Sequence, residues 1–309
     1  MKKTILAITL AAVFNSPMVS AEMLVIGAGS GSGEYTGTIV PAINEDLQRQ
    51  KKGLSAKAQI SAGSQENIEN VMEGKLIAAI SQLDVAALAK QLDEDETLAV
   101  MGRLSVEALL CAVRTDGTLH TYYDLIDDQD KPRKISVGKP RSGTAKTWEY
   151  IIKNDENLDA SKVKLLYKKS KTVELARLAS GNRDAVCVVI TPNPENEFLK
   201  QVAEHKNLEF LEFVAPEYVN FKVGDTQIYD FMEVPVEPGV WGFPFGGIKI
   251  KTLITWATLV INEDNTTEKQ LEGLAKASLN PNLIPPKTLA AKAMKMYEDA
   301  KVDLSKITN

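Results

Sequence analysis

Residues 25–37 read VIGAGSGSGEYTG, with five glycines and two serines set directly after an apolar run. Spacing decides between the known uses of such a stretch. A dinucleotide fingerprint needs G-x-G-x-x-G between a strand and a helix. Started from Gly27, Gly29 or Gly31, its last position falls on Ser32, Glu34 or Thr36, so it fails in each register. The phosphate loop fails because no Gly-Lys-Ser/Thr follows, and a G-x-S-x-G elbow fails because neither Ser30 nor Ser32 has a glycine two residues away on each side. What these loops share survives: glycines let the backbone turn tightly near a ligand, and the next helix start offers free N–H groups to an anion. The same residues also read as a plain turn capped by Ser32.

Working outward, short apolar runs alternate with helical periodicity. MLVIG, SAKAQIS, LIAAIS and EALLCAVR read as strands, separated by helices in TIVPAINEDLQRQ, SQENIENVMEG and VAALAKQL. After a turn-rich segment a second cycle follows, with strands KISVG, KVKLLY, AVCVVI and LEFLEFV and helices GTAKTWEYIIKN, TVELARLASG and NEFLKQVAEH. The alternation predicts βαβ units around a largely parallel sheet, and its repetition predicts two lobes. Residues 215–247 read as irregular; LITWATLVI then reads as a strand, with helices at 266–279 and 286–300.

The chain opens as a secretory leader. Lys2 and Lys3 precede an apolar run from Ile5 to Phe14, which ends in the small-residue pattern Val19-Ser20-Ala21. Cleavage is expected after Ala21, at the end of residues 1–21. The run is about half of what a bilayer-crossing helix needs, and no cysteine follows it to take a lipid, so the mature chain is expected in the periplasm. With 44% hydrophobic and 25% charged residues, the composition is that of a globular protein. A net charge of −5 and scattered lysines exclude nucleic acid as a partner. Two histidines in unlike contexts assemble no zinc site, so no metal and no cofactor are expected. Cys111 and Cys187 each sit in an apolar run, which predicts two separate buried thiols rather than a disulfide.

Other strand-to-helix junctions repeat the polar theme. AGSQEN (62–67) puts Gly63 and Ser64 at a helix start, SQLD (81–84) follows a strand, and GKPRSGTAKTWEY (138–150) puts Ser142 and Thr144 before another helix. In parallel α/β sheets such junctions lie at the carboxyl edge, where ligands bind. Each also reads as a helix cap.

The order of these motifs resembles the solute receptors of TRAP transporters of the TAXI subfamily, which carry G-T-G-S-T-S-G-x-Y-Y, G-G-S-x-E-N, Q-S-D-V and G-x-x-x-S-G-T. Gly27, Gly29, Ser30, Ser32, Gly33 and Tyr35 match the first motif; Gly63, Ser64, Glu66 and Asn67 the second; Gln82 and Asp84 the third; Ser142, Gly143 and Thr144 the fourth. Trp241 lies near the family's Tyr-Pro-Gly segment. Departures at Ala28, Gly31, Glu34, Thr36 and Leu83 surround the expected pocket and bear on the ligand more than on the fold. The resemblance implies an α/β fold, a two-lobed periplasmic binding protein of type II. Each lobe would be a mostly parallel sheet flanked by helices, and two crossover strands, near LLCAVR and LEFLEFV, would join the lobes. The expected lobes are 22–112 with 215–309, and 113–214. The implied function is capture of a small carboxylate, either a glutamate- or glutamine-like amino acid or a 2-oxoglutarate-like dicarboxylate, for delivery to a TRAP-type membrane permease.

The expected ligand-binding residues are Gly29, Ser30, Ser32, Glu34, Tyr35, Ser64, Gln82, Arg141, Ser142, Gly143, Thr144 and Trp241. Helix starts and hydroxyls would receive carboxylates through charge-assisted bonds. Arg141 either adds a bidentate contact or faces solvent, and Tyr35 and Trp241 either wall the cleft or pack in the core. Asp84 reads as a helix cap. Glu34 is conditional: facing inward it calls for a cation on the ligand, hence an amino acid over a keto acid; facing outward it says nothing. Two alternatives stay open, an ABC-importer receptor of the same fold and an exported serine hydrolase. The hydrolase rests on Ser142 with Lys146, a lysine unfavourably placed for the helix dipole, so the expectation is a protein that is not an enzyme.

Overall fold

The computed structural model describes residues 21–307 apart from 32, 92–95, 169, 194, 220 and 237–247, with 216 and 300–307 described by backbone alone. The expected leader up to residue 20, Ser32 and Trp241 therefore lie outside the described residues. In the first cycle β1 (Glu22–Gly29) leads through a π-helical turn (Tyr35–Ile39) into α1 (Val40–Arg49), then β2 (Leu54–Ile60), α2 (Ser64–Met72) and β3 (Ala78–Gln82). Helix α3 (Leu83–Gln91) and a long strand β4 (Leu98–Arg114) follow. A short α4 (Tyr123–Ile126) precedes the second cycle of β5 (Arg133–Ser136), α5 (Gly143–Asn154), β6 (Val163–Leu166), α6 (Lys171–Ala179) and β7 (Ala185–Ile190). The rest comprises α7 (Glu197–Ala203), β8 (Leu208–Phe210), β9 (Lys222–Val223), β10 (Thr226–Gln227), β11 (Asp230–Pro235), β12 (Lys249–Asn262), α8 (Glu268–Ser278) and α9 (Leu289–Ile307).

The architecture is α/β, and the two cycles share one topology. In sheet order β2-β1-β3-β12-β4-β7-β5-β6, β1 lies between β2 and β3 as β5 lies between β6 and β7, and all four of these pairings are parallel. Two antiparallel strands join the units. β12 pairs with β3 and β4, while β4 pairs with β12 along its first part and with β7 over Ala108–Ala112. Leu109–Arg114, one expected crossover segment, is thus the second part of β4, and the other contributes the three-residue β8 paired to the end of β4.

Local chemistry explains the elements. All five residues of β3 are buried, as an inner strand covered by helices on both faces requires. In α1, Val40, Ile43 and Leu47 recur at helical spacing and all are buried. Thr267 and Gln270 close a reciprocal capping box on α8. One core gathers around β4 with Trp148, Phe213 and Trp256, and a second lies against β1 and α1 with Leu24, Ile26 and Ile43.

Three expectations need correction. Cys111 and Cys187 are joined as a disulfide: they stand directly opposite on antiparallel β4 and β7, 4.0 Å apart at Cα, a proximity invisible across a sequence separation of 76. Residues 215–247 are not irregular throughout, since Asp230–Pro235 forms β11 against β12 and a two-strand hairpin precedes it. Finally, β4 starts at Leu98, well before EALLCAVR. At Gly102-Arg103 a β-bulge shifts the register of β4 against β12, and Thr258 Oγ1 donates to the carbonyls of Met101 and Gly102 there.

Candidate functional site

Because β1 to β3 and β5 to β7 run parallel, their carboxyl ends and the helix starts beyond them meet at one level of the sheet. There they border a single cavity of about 490 Å³. Gly29, Ser30, Glu34 and Tyr35 line it from beyond β1, Ser64 from the start of α2, Gln82 from the end of β3, and Ser142, Gly143 and Thr144 from the start of α5. Arg141 does not line it; its guanidinium pairs with Glu69 on α2. Asp84 also lies outside the lining. It is buried, takes the Val85 N–H and the hydroxyls of Thr147 and Tyr229, and so ties α3 to α5 rather than simply capping its helix.

The two cycles touch at the cavity's edge. Gly63 has φ +142°, and a Cβ on it would lie 3.0 Å from Ser142 Cα. A Cβ on Gly143 would lie 1.5 Å from Oε1 of Gln82. Only glycine lets the α2 and α5 starts approach so closely.

Several hydroxyls expected to reach the ligand already have protein partners. Ser142 Oγ accepts from Ala145 N–H at 3.3 Å and donates to Lys139 O at 2.8 Å, which makes it the cap of α5. Thr144 Oγ1 accepts from Val189 N–H at 2.8 Å, and Ser64 Oγ accepts from Gln82 N–H at 3.2 Å. Lys146 bonds Glu149 rather than Ser142.

What remains open toward the cavity is mostly acid and amide on one side. Glu107, from the middle of β4, is only 6% exposed and accepts a hydrogen bond from Tyr35 OH at 2.7 Å. Burial pushes its carboxyl up to about 8, with Asp84 and Glu34 adding to the rise and the Tyr35 bond opposing it. Burial and Glu107 in turn raise the Tyr35 phenol well above its ordinary value. Glu34 faces inward, and its Oε1 is buried with no hydrogen-bond partner among the described residues. Gln82 is 3% exposed, and neither atom of its amide has a partner among the described residues.

The wall from the second cycle is basic. Lys139, Lys168 and Lys171 line it, and none forms an ion pair among the described residues. Glu174 also lines it, but its carboxylate is taken by Arg177 and Arg183, each at 2.6 Å. Those bonds outweigh burial and hold it below the usual range. Sequence reading missed Glu107 and the lysines. A lone acid inside the apolar run SVEALLCAV was the available signal for Glu107; the lysines offered none.

The sequence profile of the NMT1-like family matches residues 26–295. This chain belongs to the NMT1-like family. No curated protein matches the sequence of this NMT1-like protein. Solved structures similar to it include the substrate-binding protein of an amino acid ABC transporter, at 13% identity over 82% of this chain and 91% of that one, with a TM-score of 0.46. XAC2383 from Xanthomonas citri, bound to ATP, is similar at 12% identity over 89% and 88%, TM-score 0.49. The effector-binding domain of a BenM variant is similar at 15% identity over 82% and 90%, TM-score 0.44. Among the described residues of this NMT1-like protein, no helix is long and apolar enough to cross a membrane, and no group of three or more His, Cys, Asp or Glu could hold a metal.

Proposed function

We propose that this NMT1-like protein is an exported solute-binding receptor. In this reading, lobes 22–112 with 215–309 and 113–214 close on a small carboxylate, a glutamate- or glutamine-like amino acid or a 2-oxoglutarate-like dicarboxylate. The receptor then delivers it to a membrane permease of the TRAP type, as in the TAXI receptors its motifs resemble. The observation that carries this reading is the cavity itself, bordered by the ends of parallel strands from both cycles. Its size suits a small metabolite. Lys139, Lys168 and Lys171 provide uncommitted positive charge for the carboxylate. Hydrolysis has less support, because the Ser142 hydroxyl is spent on capping and Lys146 bonds Glu149.

Thermal and urea denaturation with L-glutamate, L-glutamine and 2-oxoglutarate tests the reading. A bound solute at a hundredfold excess over its Kd adds about 2.7 kcal/mol to stability. No stabilisation by any of the three rejects the carboxylate assignment.

A further inference from the structure

The carboxyls of Glu34 and Glu107 both border the cavity, while the basic residues that line it come from the second cycle. Glu107 is enclosed in β4 and touched by Tyr35. Thr255 faces it in register on β12, and Asp84 and Glu34 are the other charged groups near enough to act on it. Neither Glu107 nor Glu34 has an ion-pair partner among the described residues; the lysines belong to the opposite wall. The buried amide of Gln82, which lines the same cavity, has both atoms unpaired among the described residues, and it abuts Gly143 at the α5 start. Buried polar atoms left without partners cost stability, and here they border a cavity into which a ligand can bring the missing partners.

We propose that Glu34 and Glu107 form a subsite for a positively charged nitrogen on the solute, with the Gln82 amide as its neutral neighbour. This rests on the receptor reading above and specifies one end of the ligand. The nitrogen donates to the carboxylates of Glu34 and Glu107, and the anionic end lies toward Lys139, Lys168 and Lys171. Glu107 is mostly protonated at neutral pH in the empty site, so arrival of the cation displaces its proton to solvent. Binding is therefore coupled to proton release.

The test uses isothermal titration calorimetry of the full chain with L-glutamate, 2-oxoglutarate and 1,4-diaminobutane. It is run at pH 7 in two buffers of different ionisation enthalpy, on wild type, Glu107→Gln and Glu34→Gln. The expected result is that a nitrogen-bearing probe binds with release of protons. Glu107→Gln and Glu34→Gln should each weaken it roughly 10- to 100-fold, and proton release should vanish in Glu107→Gln. If Glu107→Gln does not fold, Glu34→Gln, at a partly exposed position, carries the comparison. Diaminobutane binding alone, dependent on both acids, supports the subsite while rejecting the carboxylate assignment. 2-Oxoglutarate binding tighter than L-glutamate, or affinities unchanged in both variants, overturns the subsite and leaves the receptor reading standing. Binding of none of the three, with no stabilisation by L-glutamine in the denaturation test, overturns both.

Discussion

Tyr35 donates its phenolic hydrogen to Glu107 across 2.7 Å, linking the π-helical turn after β1 to the middle of β4, 72 residues away in sequence. That bond fixes the ring at the cavity and opposes the rise that burial imposes on the Glu107 carboxyl. Tyr35→Phe keeps the ring and removes the donor. Its expected cost is about 0.5–1.5 kcal/mol in urea denaturation, and Glu107 should titrate higher still. An unchanged midpoint would show that the bond contributes nothing.

Glu107 also sets a pH dependence of stability. Its folded value lies above its ordinary 4.5, at about 8, so the folded state binds the proton more tightly than the unfolded chain. The stability it lends is fully present below about 4.5 and is lost as pH rises through about 8. Relative to Glu107→Gln, wild type should lose roughly 1–4 kcal/mol between about pH 5 and 9. Parallel stability curves for the two proteins would contradict this.

The contact between the α2 and α5 starts depends on Gly63. An alanine there must hold φ near +142° with its Cβ 3.0 Å from Ser142 Cα. The expected loss is about 1–3 kcal/mol, read by thermal melting. Gly37→Ala, whose Cβ meets nothing within 4 Å, serves as the control and should stay within about 1 kcal/mol of wild type.

The Cys111–Cys187 bond closes a loop across a sequence separation of 76. Its reduction releases that constraint on the unfolded chain, and stability should fall by about 2–5 kcal/mol. Urea denaturation with and without dithiothreitol measures the difference. Coincident curves, with free thiols absent in the oxidised sample, would remove the disulfide from the stability account.

Ser142 and Thr144 line the cavity while their hydroxyls hold Ala145 N–H and Val189 N–H. Ser142→Ala should cost about 0.5–2 kcal/mol of stability by loss of the cap. Thr144→Ala should cost about 1–3 kcal/mol by orphaning a strand amide. Solute affinity of the folded fraction should change less than stability does. A large loss of affinity at unchanged stability would restore their direct role.

What the sequence determined by itself is what local spacing encodes. The alternation of short apolar runs with 3.6-residue periodicity gave both βαβ cycles, and α5 has the bounds its sequence predicted. The polar junctions at Ser64, Gln82 and Ser142 were legible because turn and cap chemistry is carried by neighbouring residues. Tertiary structure decided everything that depends on partners distant in sequence. β4 and β7 brought Cys111 to Cys187, the bulge at Gly102 lengthened β4, and Arg141 was drawn to Glu69. Glu107 became a cavity acid for the same reason. A glutamate in an apolar strand is only an oddity until pairing with β12 encloses it and the turn after β1 brings Tyr35 and Glu34 beside it, and burial by those distant segments is what raises its affinity for a proton.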